Sequence, residues 1–91
     1  MAVYIERLLR CPSVLQANGD SRSTFYSRIS KGLWTRPVSI GPRAVAWPAS
    51  EVAALNAARI AGKSDDEIRQ LVARLHAARD TAVADLGCGR A

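Results

Sequence analysis

The chain has little of what catalysis, metal binding or membrane insertion requires. Its 91 residues include one histidine and two cysteines, and its six glycines are scattered along the sequence. A single histidine supplies neither a catalytic dyad nor a metal cluster, and scattered glycines cannot build a phosphate-binding loop. No apolar run approaches the roughly 18 residues that span a bilayer. We therefore expect no enzyme, no metal or other cofactor, no small-molecule ligand and no membrane insertion.

The sequence also lacks the marks of secretion. Its first residues have neither the basic start nor the continuous apolar core of a signal peptide, so we expect a cytoplasmic protein. Cys11 and Cys88 are far apart, and in a reducing compartment they are most simply free thiols. Hydrophobic residues make up 48% of the chain, which argues against wholesale disorder. The length suits one small domain with an extension.

Acidic residues are missing from one stretch altogether. Residues 21–43 contain five basic side chains and no Asp or Glu, within a chain of formal net charge +5. Residues 1–43 hold seven basic and two acidic side chains, whereas residues 44–91 hold six of each. Alanine is distributed the other way, with two in the first part and fourteen in the second. A basic front half therefore precedes a neutral, alanine-rich back half, and the basic half predicts a nucleic-acid partner.

The basic half predicts a helix-turn-helix. A first helix begins at Cys11, where the following proline suits the first turn, and it ends at Gly19, which can take a left-handed conformation. Ser21 is a good N-cap for a second helix that runs to Lys31. Gly32 then provides the residue after the helix end, with an apolar leucine following it. Two short helices with a tight break between them are typical of helix-turn-helix motifs.

The second helix has an apolar face and a polar face. Phe25 and Ile29 are four residues apart and are expected to pack on Val14 and Leu15 of the first helix. The polar face contains no acid, whereas an ordinary exposed helix mixes Glu with Lys. A solvated surface is the alternative interpretation of this face. Its members are Arg22, Ser23, Tyr26, Ser27 and Ser30, with Arg28 and Lys31 at the flanks.

A period-two pattern follows in residues 38–47 and predicts a hairpin. Gly41 and Pro42 between its two halves suit a two-residue type II′ loop, because the first loop position needs a positive φ. Arg43 then lies at the tip of the hairpin. A hairpin of this kind after a helix-turn-helix has the form of a wing, and a plain surface hairpin is the alternative. The expected partners are Val38 with Val45 and Ile40 with Arg43.

Two more helices are predicted in the back half. The third opens near Pro48 and ends at Gly62, and its apolar residues should close a small core with Trp47. The fourth opens with a capping box formed by Ser64 and Glu67. One narrow apolar stripe on it must dock either on its own domain or on a second copy, and we assign it to self-association. The stripe consists of Ile68, Leu71, Val72 and Leu75, and His76 beside it is expected to be a surface or contact residue.

The predicted fold is therefore mainly α with a small β-hairpin. Residues 1–62 form a winged helix-turn-helix, and residues 63–91 form a C-terminal amphipathic helix, at about 64–86, with a short flexible tail. Arg22 is the candidate for bidentate contact with guanine, because the start of a recognition helix reaches base edges in the major groove. Lys31 and Arg36 are expected on phosphates and Arg43 in an adjacent minor groove. The predicted contacts to double-stranded DNA are Ser21, Arg22, Ser23, Thr24, Tyr26, Ser27, Arg28, Lys31, Arg36 and Arg43.

Several short motifs occur in a fixed order along residues 5–60. They are Leu8-Leu9-Arg10, Pro12-Ser13-Val14-Leu15, Gly19, Ser21-Arg22-Ser23-Thr24 with Tyr26, Gly32, Pro37-Val38, Ile40-Gly41-Pro42-Arg43, Trp47 and Ser50-Glu51-Val52. In this order they resemble the AlpA family, small regulators encoded by phages and mobile elements, whose winged helix-turn-helix is related to MerR-type domains and excisionases. The resemblance implies that the helix from Ser21 is the recognition helix and that residues 38–47 are the wing. Asp20 and the Trp34-Thr35 pair depart from the family pattern.

The resemblance implies two functions for one fold. An excisionase, or recombination directionality factor, binds and bends attachment-site DNA and biases a tyrosine-type integrase toward excision. An AlpA-type regulator, usually an activator, controls transcription of the element's genes. The helix beyond residue 62 favours the first role, because a docking helix suits self-association along DNA, and either role would make the protein nucleoid-associated. A third hypothesis is a protein-interaction module that works through the C-terminal helix without DNA.

Overall fold

The computed structural model describes residues 6–85, with side chains to residue 80. Three strands form one antiparallel sheet of order β1-β3-β2, and four helices surround it. The predicted fold class, a winged helix-turn-helix with a C-terminal helix, is confirmed. The predicted tail with Cys88 lies outside the described residues. The elements are β1 (Leu8–Arg10), α1 (Cys11–Asn18), α2 (Arg22–Ser30), β2 (Val38–Gly41), β3 (Ala44–Pro48), α3 (Ala49–Ile60) and α4 (Asp65–Asp85).

Local chemistry sets the ends of the helix-turn-helix as predicted. Gly19 ends α1 in the left-handed conformation, with φ of 76°. Ser21 caps α2, and its hydroxyl accepts a hydrogen bond from the Thr24 amide at 3.2 Å. Gly32 has φ of 77° after α2, and the amide of Leu33 reaches back to the last turn, which completes a Schellman motif. These three positions confirm both predicted helices and the turn between them.

The capping box of α4 is also confirmed. The Ser64 amide donates to the Glu67 carboxylate at 3.0 Å, and the Glu67 amide donates to the Ser64 hydroxyl at 3.2 Å. The Ser64 amide first, and then the Ser64 side chain, hold the pKa of the Glu67 carboxyl below its ordinary value by hydrogen bonding. A second acid caps α3, because the Glu6 carboxylate accepts hydrogen bonds from both the amide and the hydroxyl of Ser50. Both helices therefore begin at a carboxylate that satisfies free amide groups.

The register of the hairpin differs from the prediction. Pro42 and Arg43 occupy the loop, and Gly41 belongs to β2 without a positive φ, so the type II′ loop is wrong. Proline with its fixed φ fits the second position of a tight turn, and a bulge at Ile40 takes up the extra residue. Arg43 nevertheless lies at the exposed tip, as predicted. The observed pairs are Val38 with Ala46, Ser39 with Val45 and Gly41 with Ala44, where the prediction had Val38 with Val45 and Ile40 with Arg43.

Three aromatic rings form the centre of the core. The Phe25 ring meets Trp47 edge to face with centroids 5.0 Å apart, and it meets Trp34 in the same way at 5.5 Å. The indole N–H of Trp47 donates to the Thr35 carbonyl at 3.0 Å. The Trp34-Thr35 pair, which departs from the family pattern, is fully buried. The core consists of Cys11, Val14, Phe25, Leu33, Trp34, Trp47, Val52, Leu55, Ile68 and Val72.

Helix α4 completes this core from the same chain. Ile68 is 1% exposed and Val72 is 5% exposed, while Leu71 and Leu75 are half-buried against the core. The stripe therefore docks on its own domain, which answers the question that the sequence left open. The assignment of the stripe to self-association needs correction, because Ile68 and Val72 offer no surface to a second copy. The core also continues across the boundary expected at residue 62. No helix within residues 6–85 is long and apolar enough to cross a membrane.

Replacing Ile68 by alanine is expected to lower the free energy of unfolding by about 2–5 kcal/mol, because the change leaves a cavity in the core. The matched control is Ile60→Ala, at a residue that is 87% exposed, where the expected change is within about 0.5 kcal/mol. Denaturant unfolding measures both values, and docking in the same chain makes the Ile68→Ala loss independent of protein concentration. Equal effects of the two substitutions would contradict the docking of α4.

Candidate nucleic-acid interface

The predicted contact residues of α2 share an outward surface. Phe25 is fully buried beneath the helix and Ile29 is half-buried, so the opposite side of α2 faces solvent. Most of the predicted side chains on this helix are exposed. One flank of α2 borders a shallow depression against the end of α3 and the start of α4. The depression is lined by Ser23, Thr24, Ser27, Arg28, Lys31, Leu33, Arg59 and Asp65.

Arg22 and Tyr26 extend from the other flank, beside the start of α1. The Arg22 guanidinium donates to the Cys11 sulfur at 3.5 Å, a weak contact that a phosphate or base acceptor can replace. The Tyr26 ring packs edge to face on Trp47, with centroids 6.4 Å apart, and the residue is 39% exposed. Burial and the adjacent Cys11 sulfur raise the pKa of the Tyr26 hydroxyl, with Arg22 opposing them. Tyr26 therefore remains a neutral hydrogen-bond donor at physiological pH.

Cys11 contributes packing to this flank. It is 7% exposed and belongs to the core, and its thiol is free. Within residues 6–85, no group of three His, Cys, Asp or Glu side chains is placed to hold a metal ion. The side chains of this surface are chiefly hydroxyl, guanidinium and ammonium groups, all of which can donate hydrogen bonds to phosphate oxygens and base edges.

Arg28 is held more firmly than the sequence indicated. Its Nη2 lies 3.4 Å from Oδ1 of Asp20, with the two side chains 30% and 11% exposed. Asp20 thus fixes the turn of the helix-turn-helix to α2, and Ser21 next to it provides the N-cap. The pairing leaves Arg28 with a neutralised charge beside the depression, so its first role is to stabilise the turn.

Arg36 and Arg43 lie away from α2. The backbone amide of Arg36 donates to Nε2 of His76 at 3.1 Å, and its carbonyl accepts from Arg79 at 2.8 Å. The Arg36 side chain is exposed, beside α4, and is not part of the depression. Arg43 is exposed in the loop between β2 and β3. The structure therefore brings the α2 residues together, and Arg36 and Arg43 belong to other segments and do not line the depression.

Arg59 belongs to this surface although the sequence did not single it out. It lines the depression together with Ser27 and Lys31, and it forms an ion pair with Asp65 at 3.7 Å. In the sequence it is one basic residue in the last turn of a helix, where a cation commonly compensates the helix dipole. Only the packing of α3 against α4 places it beside α2, so no local signal identifies it.

A buried ion pair lies behind the wing. The Glu51 side chain is 5% exposed, and Arg79 donates to its two oxygens at 2.7 and 2.8 Å. This bidentate geometry is the strongest form of arginine–carboxylate contact. The pKa of the neighbouring His76 is lowered by burial first and then by the charges of Arg36 and Arg79, while Glu51 acts in the opposite direction. A neutral His76 is the form that accepts the Arg36 amide.

Comparison with known proteins agrees with this geometry. Residues 7–60 match the family described as Prophage CP4-57 regulatory protein (AlpA), which covers more than half of the chain. The chain belongs to the AlpA family. It is also similar to the Uncharacterized protein ORF88 of Enterobacteria phage P4, with 52% identity over 58 residues, which are 64% of this chain and 66% of the phage protein. The match thus spans just under two thirds of that relative. No solved structure matches.

Some of the residues that form the depression and the ion pair lie beyond the segment that matches the AlpA family. Residues 7–60 include α2, the wing and Glu51, but His76 and Arg79 lie beyond them. In this AlpA-family protein, side chains of α4 therefore provide hydrogen-bond partners for residues of the family segment.

Acidification is expected to destabilise the protein through His76. Its folded pKa is lower than the value of about 6.5 that an unfolded histidine has, so the unfolded state takes up the proton first. The contribution of His76 to the free energy of unfolding is therefore fully present above the unfolded pKa of about 6.5. It is lost as the pH drops toward the folded pKa of His76. Denaturant unfolding at a series of pH values between about 7.5 and 5 measures this decline.

His76→Gln provides the control for this prediction. His76 is the only histidine in the sequence, so the substitution should flatten the profile in the histidine range and leave the acid region of the carboxylates unchanged. A decline of the same size in His76→Gln would contradict the assignment.

Proposed function

We propose that this AlpA-family protein binds double-stranded DNA in a sequence-specific manner through α2 and the wing. The observation that carries the proposal is the outward surface of α2, which combines hydroxyl groups with Arg22 and Lys31 and contains no acid of its own. The helix N-cap and the Schellman motif at its two ends fix this surface on the domain. A helix held in this way can enter the major groove as a rigid unit.

The positions of the side chains suggest a division of contacts. Arg22 is in the first turn of α2, where a recognition helix approaches base edges, and its guanidinium fits the two acceptors of guanine. Lys31 on the depression is suited to a phosphate, because it has no carboxylate partner among the described residues, and such a contact positions the domain without reading sequence. Arg43 at the wing tip is suited to an adjacent minor groove. Self-association along DNA stays a proposal, and it would need surfaces other than Ile68 and Val72.

Two regulatory roles would use this binding. The family description, a prophage regulatory protein, supports control of transcription in a mobile element, and we place this role first. The exposed Arg43 supports the second role, a directionality factor that bends attachment-site DNA for a tyrosine-type integrase, because minor-groove arginines accompany deformed DNA. The argument that a free docking helix favours excision no longer applies, since α4 docks on its own core. The same burial argues against a protein-interaction module that works through Ile68 and Val72.

Arg22→Ala is expected to weaken binding to the preferred duplex by about 5- to 150-fold, the equivalent of one good base contact. Binding to a duplex of unrelated sequence should change much less. The matched control is Arg74→Ala, which removes one positive charge from an exposed position on α4. The preferred duplex is first selected from a random library with the full chain. Titration of each variant with this duplex and with the unrelated duplex then measures the affinities.

Two outcomes would contradict the proposal. Equal losses on both duplexes would make Arg22 a phosphate contact without base recognition. Titration at increasing salt gives the second criterion, because engagement of about five phosphates requires a log–log slope of about −4 to −5. A flat salt response would exclude DNA as the partner.

Footprinting across the promoters and the attachment region of the encoding element is expected to separate the two roles. A single protected site next to a promoter supports transcription control. Clustered direct repeats beside the recombination site, with enhanced cleavage between them from bending, support excision. Protection at neither place would contradict both.

A further inference from the structure

Helix α4 is bonded to both ends of the segment that joins α2 to the wing, residues 31–36. At the first end, Nε of Arg69 donates to the Lys31 carbonyl at 3.0 Å, and the Arg69 side chain lies over Gly32. At the second end, His76 and Arg79 bond the amide and the carbonyl of Arg36. Arg69 and His76 are seven residues apart, so the two attachments lie about 10 Å apart along a rigid helix.

Arg79 also connects the two strands of the wing at their base. Only Pro37 separates Arg36 from β2, and Glu51 is in the first turn of α3, which follows β3 directly. Nη2 of Arg79 donates to the Arg36 carbonyl at 2.8 Å and to the Glu51 carboxylate at 2.7 Å. One guanidinium therefore joins the chain entering the wing to the chain leaving it, and burial of Glu51 prevents water from replacing this contact easily.

We propose that α4 is a brace that fixes the wing relative to the recognition helix, with Arg79 as its central positioning residue and Arg69 as the second. The proposal rests on the proposed DNA binding through α2 and the wing. Two reading elements that are held at a fixed spacing bind DNA without first being ordered, and this preorganisation raises affinity without any contact from α4 to the DNA. Arg43 at the wing tip is the residue whose contribution depends on the brace.

Three variants of the full chain test the brace. Arg79→Lys keeps a positive charge beside Glu51 but cannot bond both carboxylate oxygens and the Arg36 carbonyl in one plane. Arg69→Gln removes the attachment at Lys31 from a side chain that is 47% exposed, so the core stays intact. Arg74→Gln is the matched control, because it removes the same charge from an exposed position on the same helix. The binding experiments are done at a temperature at which circular dichroism shows that all three variants are folded.

The first readout is the cost of Arg43→Ala in each background, measured on the selected duplex. In the wild-type and Arg74→Gln backgrounds the substitution should weaken binding about tenfold, as expected for one side-chain contact. In the Arg79→Lys and Arg69→Gln backgrounds the cost should fall below about threefold, which exceeds the deviation expected of independent sites. A loss of general stability alone would leave the cost of Arg43→Ala unchanged. A cost of about tenfold in all four backgrounds would overturn the proposal.

The second readout needs no DNA. Amide hydrogen exchange at Arg36 and in β2 should be about tenfold faster in Arg79→Lys and Arg69→Gln, with α1 amides unchanged, and unaltered in Arg74→Gln. Unaltered local exchange in the two brace variants would overturn the proposal. If Arg43→Ala has no cost in any background, the proposed wing contact is wrong, and the exchange rates still decide whether α4 braces the wing.

Discussion

The fold depends on the ion pair between Glu51 and Arg79. A carboxylate that is 5% exposed costs several kcal/mol to desolvate, and leaving it without a partner is strongly destabilising. Arg79 occupies both oxygens, and it does so from a helix that begins after the family segment has ended. The winged helix-turn-helix of residues 7–60 therefore contains a charge that it does not neutralise itself. Docking of α4 supplies the missing partner from the same chain.

The ion pair also explains why the apolar stripe of α4 is short. Ile68 and Val72 are buried in the core and Leu75 packs against it, and beyond Leu75 the contact with the domain changes to the polar groups of His76 and Arg79. A helix that served as a zipper would continue its apolar residues over several more turns. The change from apolar to polar contacts marks the point at which α4 passes from the core to the base of the wing.

Local features of this structure were predictable and distant ones were not. Ser21 and Gly32 define α2 because capping depends on a few neighbouring residues, and the sequence located both. The position of Arg43 at the hairpin tip was also predictable, but the register was not, because a bulge changes the pairing without a clear sequence signal. β1 forms through its pairing with β3, and Arg59 and Arg79 gain their roles only through packing between helices. Contacts of that kind leave no periodic pattern in a single sequence.

The uneven charge of the sequence corresponds to which of its acidic side chains form ion pairs or helix caps. Asp20, Glu51, Asp65 and Asp66 each pair with an arginine, and Glu67 caps α4. Arg22, Lys31 and Arg43 have no carboxylate partner among the described residues, so their charge faces solvent on α2 and on the wing. The paired and capping acids of both halves thus stabilise the fold, while the free cations of α2 and the wing remain on its outer surface. A polyanion that approaches α2 or the wing meets these cations, and it therefore meets the elements that the brace holds in place.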